Sequence, residues 1–517
     1  MRSLGPEFKT TWAFLALLAL FVLPIWVTPA VPGMDTPNHM AMVEILSRQS
    51  LEPDWDVHFE DRISVGSPYV TYYALGLGLA RFMSATEAHR VIMSAFVLLL
   101  PLSFAYLVYS LRPTARWTPL FGFLLIYTDS YFVGFTNFLL TLPLLLFGVA
   151  LSIRLAKRPE GGLLQSLLLG FVSVLLYMTH PIGCALLPIL AGILGLPQLA
   201  SMRRLVWLVA AWLPGPVLLL IWAGSDSSPF MGGITYLPFD FSLEYLARTP
   251  TILMSGWSLF VATCLALVLM VGALPSVFRR LETGSSLFQR LSPFRSPVLG
   301  SLAFVLLYFV MPFQVGSTIW LNLRLAVIVW VLIFVVLGDA MVRNWLGQVA
   351  LIALCLWQLG SVTQAHYAFG QEVDSLLEVV EVMEPHGRIL PLVLNSDSEV
   401  ATPFYRGDER AHFASRFTYY LHFGSYYHLE KSGLSPWMTF QAGLPHVPLG
   451  IKSPFLRSRF RIADPFFPDR FLSRLPELAP HFDYILLRNS RSDISAGLTR
   501  AFPLLHNAGS YEVYSTD

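Results

Sequence analysis

Apolar residues in this chain run on without a break for long stretches, and short polar breaks rich in arginine separate the runs. A helix crosses the hydrocarbon core with about 20 consecutive apolar residues. On that measure eleven stretches are expected to span: Thr11–Val31, Val91–Leu111, Trp117–Tyr131, Val133–Ile153, Leu163–His180, Ile182–Leu199, Leu205–Trp222, Thr251–Phe278, Pro297–Phe313, Leu321–Met341 and Leu346–Leu359. Threaded so that Arg112 and Arg116, then Arg154, Lys157 and Arg158, then Arg203 and Arg204, then the four arginines of Arg279–Arg295 face the cytoplasm, the chain obeys the positive-inside rule at every inner loop. The N-terminus is then inside and the C-terminus outside. Pro68 to Met83 is apolar but short and carries Gly76, Gly78 and Arg81. It is expected to lie in the interface, because making it a span would put basic clusters on the wrong side.

The first loop, residues 32–88, opens on Gly33-Met-Asp-Thr-Pro-Asn-His-Met-Ala-Met-Val-Glu-Ile-Leu46 and then turns acidic at Glu52, Asp54, Asp56, Glu60 and Asp61. Asp35 reads as an N-cap with Thr36 and Pro37 in the first turn. The helix that follows has Met40, Val43 and Leu46 on one side and Asn38, Glu44 and Arg48 on the other, so it is expected to lie along the bilayer surface. The i, i+4 spacing sets Asp35 beside His39. Beyond about Gln364 the long apolar runs stop. Residues 370–517 are rich in charges, aromatics and prolines, with a helix expected at Asp374–Met383 and strands at Arg388–Leu394, Tyr484–Leu487 and Tyr511–Tyr514. The expected architecture is a polytopic α-helical membrane domain over residues 1–365 and a small extracytoplasmic α/β domain over 366–517.

Composition sharpens this picture. The chain is 55% hydrophobic and 13% charged, about half the charged fraction of soluble domains. The net charge of +1 says nothing of partners, but with no basic stripe and no recognition motif no nucleic-acid partner is expected. Cys184, Cys264 and Cys355 all fall in apolar runs, so no disulfide or thiolate metal site is expected. Thr11–Val31 resembles a signal peptide but is long enough to span, and it is read as a retained anchor. No G-x-G-x-x-G or Walker loop occurs.

Six ionisable residues from separate segments fall on the expected outer face: Asp35, His39, Arg90, Asp129, His180 and Arg324. Ionisable groups at membrane depth are costly and mark pathways or sites. Each also has a plainer reading. Asp35 and Asp129 cap turns, His180 closes a helix before Pro181, and Arg90 and Arg324 snorkel to headgroups. Tyr69, Tyr72 and Tyr73 form either an interfacial aromatic belt or a substrate platform.

The motifs Gly-Met-Asp35-Thr-Pro-Asn-His39, Gly-Ser-Pro68-Tyr-Val-Thr-Tyr-Tyr, Ala-His-Arg90-Val and Ile-Tyr-Thr-Asp129-Ser-Tyr, in this order across roughly residues 10–230, resemble the GT-C superfamily of membrane glycosyltransferases. That superfamily includes protein mannosyltransferases, aminoarabinose transferases and oligosaccharyltransferase catalytic subunits. Val133-Gly-Phe-Thr-Asn-Phe and Tyr177-Met-Thr-His-Pro181 are similar to its bacterial branches. The paired acids of the mannosyltransferases and the double proline of the interfacial segment are reduced here to Asp35 and Pro68. The resemblance implies a sugar donor on a polyprenyl phosphate, and an acceptor hydroxyl on a lipid, glycan or protein. It casts Asp35 as catalytic base, Asp129 as the acid that helps to bind acceptor or metal, and Arg90 and Arg324 as binders of the lipid phosphate. His39 would orient Asp35 or join it on a metal, and His180, Tyr72 and Tyr73 would line the substrate. Asp35, His39, Asp129 and His180 offer oxygen and nitrogen ligands for a divalent ion. The location implied is the inner membrane of the cell envelope. A lipid or polysaccharide transporter is the alternative; it would also bury charges, although no internal repeat is visible.

Overall fold

The structure is a computed structural model, and it describes residues 6–48, 55–61, 67–157, 162–224, 233–282, 297–316, 318–394, 420, 422–436, 449–451, 475–488 and 492–517. Glu52, Asp54 and Arg158 lie outside the described residues, as does most of the arginine-bearing loop up to Arg295.

Helix α1 (Pro6–Val22) stops short of the expected Val31 and tightens into a 3₁₀ turn, Leu23–Trp26. Pro24 lacks the N–H that a longer α-helix would need. Next come α2 (Thr36–Arg48), the short α3 (Trp55–His58) with strand β1 (Phe59–Asp61), and α4 (Thr71–Leu79). At nine residues α4 is too short to span, as the charge argument requires. A reciprocal Ser84–Glu87 capping box opens α5 (Ala85–Leu111).

The expected span Trp117–Tyr131 is instead a buried 3₁₀ helix, Thr118–Leu125, followed by α6 (Asp129–Val133). A 3₁₀ helix rises about 2.0 Å per residue against 1.5 Å, so this short stretch reaches further than its length as an α-helix allows. Helices α7 (Thr136–Lys157), α8 (Leu163–Thr179) and α9 (Pro181–Gly195) follow as read from the sequence.

The next span breaks into α10 (Met202–Trp212) and α11 (Pro214–Ala223), bent by 43°. Pro214 interrupts the backbone ladder there, and Ser173 of α8 mends it. Its hydroxyl donates to the Trp212 carbonyl at 2.6 Å and accepts from the Gly215 N–H at 3.0 Å.

The bundle closes with β2 (Ile234–Thr235), α12 (Phe239–Arg248), α13 (Gly256–Glu282), α14 (Pro297–Val310), β3 (Gln314–Val315), α15 (Leu321–Met341) and α16 (Trp345–Glu381). Among the described residues six helices are long and apolar enough to cross a membrane, or seven with the bent pair, and three shorter apolar helices stand beside them. This is a multi-pass membrane protein.

Helix α16 fuses two elements expected to be separate, Leu346–Leu359 and Asp374–Met383. It runs unbroken for 37 residues through position 365, where the composition changes. Beyond it lie β4 (Ile389–Val393), α17 (Gly424–Lys431), β5 (Leu449–Ile451), α18 (Leu475–Leu478), β6 (Tyr484–Arg488), α19 (Ser492–Ala501), β7 (Leu504–Ala508) and β8 (Tyr511–Ser515). The four-stranded sheet has order β4-β6-β8-β7, with only β4 and β6 parallel.

Its two faces separate with a period of two. Leu390, Leu392, Ile485, Leu487 and Tyr514 pack with Leu475, Leu478, Ile494 and Leu498 of α18 and α19. Ile389, Leu486, Tyr511 and Val513 join the main core of the membrane domain. Strands buried on both faces read as continuous apolar runs, which is why β4 and β6 were legible. The C-terminal domain is therefore fastened to the bundle. Strand β5 also pairs with β1 of the first loop, and α17 packs on α2.

That packing corrects one expectation. Helix α2 does not lie half-exposed on a surface: Thr36 to Ile45 are all buried, including the polar Asn38, His39 and Glu44. Helix α17 of the C-terminal domain packs on α2, while His39 turns to Tyr73 of α4 and Glu44 pairs with Arg48.

Candidate active site

Two glycines bring the acidic loops together. Gly134 ends α6 in the left-handed conformation, φ +84°, and a Cβ there would sit 3.0 Å from the backbone nitrogens of Asp35 and Thr36. A Cβ on Gly33 would meet Thr36 Oγ1 at 2.1 Å and Gly134 Cα at 3.3 Å. Bare backbone at both positions lets the Met34 N–H donate to the Phe132 carbonyl at 3.1 Å, and the Asp35 N–H to the Val133 carbonyl at 3.0 Å. Asp35 is thereby locked against the segment that begins at Asp129.

The Asp35 carboxylate is buried, with its residue 7% exposed. Its Oδ1 is 3.5 Å from Nε2 of His422, a fully buried histidine at the entry to α17. One turn along α2, His39 Nδ1 is 2.7 Å from the Tyr73 hydroxyl. Beside it the Tyr72 hydroxyl pairs with His89 Nδ1 at 2.9 Å. Both tyrosines are buried on α4, each with its hydroxyl facing a histidine. They form a scaffold under Asp35 rather than an open platform.

Asp129 accepts a hydrogen bond from the Tyr245 hydroxyl of α12 at 2.9 Å. Arg324, in the first turn of α15, lays its guanidinium 4.1 Å above the Phe135 ring and brings Nη1 to 3.4 Å from His180 Nε2. Asp35, Tyr69 and Tyr245 lie within its electrostatic reach, and its buried Nε has no hydrogen-bond partner among the described residues. Tyr69 packs edge-on to His180, with centroids 4.9 Å apart, and it holds a left-handed backbone, φ 65°. Trp320, which begins α15, does the same at φ 60°. Left-handed backbone at bulky residues costs about 1–3 kcal/mol and clusters at functional sites.

The structure thus gathers Asp35, His39, Tyr72 and Tyr73 in one group, and Arg324 with His180 in a second that faces it. Asp129 is tied in through Tyr245 and the Gly134 turn. Arg90 stands apart. It donates to the Thr28 carbonyl, covers Trp26 at 5.6 Å and faces Tyr426 of the C-terminal domain. Asp35, His39 and Asp129 do not form a ligand set, and among the described residues no three His, Cys, Asp or Glu side chains converge on a metal position. The second-loop acid is bonded by Tyr245 instead, and His39 Nδ1 by Tyr73.

Burial lowers the His39 pKa from 6.5 to about 4, with Asp35 opposing the shift and His422 adding to it. Burial brings His428 to about 4 as well, against the pull of the Gly433 carbonyl. Between these values and 6.5 the unfolded chain binds protons that the fold refuses. Stability is therefore full above about pH 6.5 and is lost as the pH falls toward 4. Thermal unfolding in detergent is expected to show a midpoint that declines below about pH 6.5, with His39→Gln flattening part of the decline. A midpoint unchanged down to about pH 4.5 contradicts neutral buried imidazoles.

No protein-family model matches the chain, and no curated protein matches it by sequence. Among solved structures, the crystal structure of ArnT from Cupriavidus metallidurans bound to undecaprenyl phosphate aligns over 99% of this chain and 99% of its own, with a TM-score of 0.50 at 10% identity. The fold is similar to that of ArnT. The polytopic helical fold with a small strand-containing C-terminal part expected from the sequence is thus the one observed, and the likeness to ArnT extends past residue 230 to the C-terminus.

Sequence reasoning missed two side chains of this site. His422 sits in the run Tyr419-Tyr-Leu-His-Phe-Gly-Ser-Tyr-Tyr-His428, whose density of aromatics and histidines stands out in an otherwise charged domain. Tyr245 lies on α12, whose apolar side repeats at helical spacing within the loop Ala223–Pro250. Both signals were present in the sequence.

Proposed function

We propose that this protein transfers a sugar from a polyprenyl-phosphate donor to a hydroxyl acceptor at the extracytoplasmic face of the inner membrane. One observation carries the reading: a buried carboxylate, Asp35, is held beside His422 and lies within electrostatic reach of Arg324. The fold supports it, since ArnT was solved with undecaprenyl phosphate bound. So does the distribution of charge. Arg112, Arg154 and Lys157 are tied to the far ends of α5 and α7, away from Asp35, and the positive-inside rule makes that end cytoplasmic.

Asp35 accepts the acceptor's proton as its oxygen attacks the anomeric carbon, because a sugar or lipid hydroxyl has a pKa far above 7. The bond from that carbon to the phosphate oxygen breaks, and the configuration inverts. Charge builds on the departing polyprenyl phosphate. The Arg324 fork, held flat on Phe135 and steered by His180, stabilises it. His422 fixes the carboxylate, and His39, kept neutral by burial, braces α2 against Tyr73. Asp129 and Tyr245 fix the neighbouring loop, where the acceptor enters. Among the described residues no three His, Cys, Asp or Glu side chains assemble a metal site, and every step is assigned to side chains alone.

The test is turnover by the full chain in proteoliposomes supplied with a panel of undecaprenyl-phosphate sugars and a membrane-extract acceptor. One donor is expected to be consumed, with release of undecaprenyl phosphate seen by mass spectrometry. Failure with every donor, together with no specific retention of undecaprenyl phosphate, would overturn the proposal.

A further inference from the structure

Helices α2 and α17 meet along a seam that begins at Asp35. Asp35 lies beside His422 at one end, and Arg48 lies within electrostatic reach of His428 at the other. These contacts fix the side of α2 that α17 covers. At steps of three and four from Asp35 the same side carries Asn38, Ala41 and Ile45, all fully buried. The adjoining side belongs to α4: His39 and Met42 meet Tyr73, and a Cβ on Gly76 would press on Val43 at 2.7 Å. Along α17, steps of three from His422 bring Ser425 and His428 to the seam, both buried. From Asp35 to Arg48 the seam is roughly 20 Å long.

Polar groups inside the seam lack partners. Among the described residues, Asn38 Oδ1 and Nδ2, Ser425 Oγ and His428 Nε2 are buried with no hydrogen-bond partner. His428 donates from Nδ1 to the Gly433 carbonyl at 2.9 Å, so Nε2 is an acceptor in the neutral ring. Buried polar atoms are almost always bonded, and leaving one unbonded costs stability. Three such side chains lead away from the proposed base in one seam, which marks a surface closed at a cost and suited to another partner. Amide, hydroxyl and imidazole are uncharged and offer both donors and acceptors, which matches hydroxyl groups rather than a phosphate or an acyl chain. Trp55, with its ring 4.9 Å from that of His428, adds a flat apolar face. Glu44 and Arg48 neutralise each other at the far end, 2.8 Å apart.

We propose that α17 parts from α2 to admit the acceptor, and that the acceptor is a saccharide: its hydroxyls bond Asn38, Ser425 and His428 Nε2 while the reacting one reaches Asp35. This assignment rests on the transferase reading and names its acceptor class. It also gives the acceptor a way to a carboxylate whose residue is only 7% exposed. The seam starts next to the loop that carries Asp129, because Met34 and Asp35 are bonded to Phe132 and Val133. The reacting hydroxyl gives its proton to Asp35 and its oxygen to the anomeric carbon. The bond from that carbon to the polyprenyl phosphate breaks, and its electron pair leaves on the phosphate oxygen.

Asn38→Leu and Ser425→Ala in the full chain test it. Each removes an unpartnered polar group, so each is expected to unfold at the wild-type temperature or above it. In proteoliposomes, with the deproteinised oligosaccharide fraction of a membrane extract as acceptor, each should raise the acceptor KM about tenfold. The kcat and the retention of undecaprenyl phosphate should stay nearly unchanged. Transfer to the protein fraction of the extract alone, or a wild-type KM in both variants, overturns the proposal. So does a lowered unfolding midpoint in both, since that makes the two groups ordinary packing. If no donor is consumed, the transferase reading fails and the seam is judged by hydrogen exchange. The oligosaccharide fraction should then slow exchange of the α17 amides in the wild type and not in Asn38→Leu; no slowing in the wild type overturns the seam as a saccharide site.

Discussion

Asp35→Asn is expected to lower sugar transfer by a factor of about 10³ while the protein keeps its fold and its lipid. The amide matches the carboxylate in size, so the contacts of Met34 and Asp35 with Phe132 and Val133, which use backbone atoms alone, are unaffected. What the amide lacks is a site for the acceptor's proton. The loss should therefore fall on kcat, with the apparent affinity for donor unchanged. Single-turnover transfer, read beside retention of undecaprenyl phosphate, separates the two. A variant that transfers sugar at the wild-type rate would remove Asp35 from the reaction and leave it a helix cap.

Arg324→Ala should cost about 10²–10³ in kcat and weaken donor binding as well, because in the proposed reaction the guanidinium meets the phosphate before the transfer and more strongly as charge develops. Arg324→Lys should restore only a small part. An ammonium cannot lie flat on Phe135 at 4.1 Å and also present a planar fork. The contrast with Asp35→Asn is diagnostic: one variant spares donor affinity and the other does not. Equal activity of the lysine variant and wild type would reduce Arg324 to a point charge.

Much of this was legible in the sequence, for reasons that also mark the limits. Hydropathy reports length and continuity, so α5, α7, α8, α9 and α15 fall where the apolar runs do. It does not report helix type. The stretch after Trp117 was therefore read as an ordinary span, although Pro119 and close packing on Pro101 by Gly122, whose Cβ would lie 3.0 Å from Pro101 Cα, favour the tighter 3₁₀ form. Composition changes near Gln364 because solvent replaces lipid, but Gln, Ala, Glu and Val continue a helix readily, so α16 passes through with no break. Asp35 and His39 stood out because four residues fix their separation. Their partner His422 is nearly four hundred residues away, and only the docking of α17 on α2 brings it within reach. Asn38 and Glu44 are buried as well, although their polarity alone suggests a wet surface.

Residues on both sides of position 381 thus meet around Asp35, with His422 coming from the C-terminal side. A protein assembled in this way is not a helical bundle with an independent module appended. Grafting its trailing quarter onto another membrane scaffold, or trimming it away to leave the helices, would part Asp35 from His422.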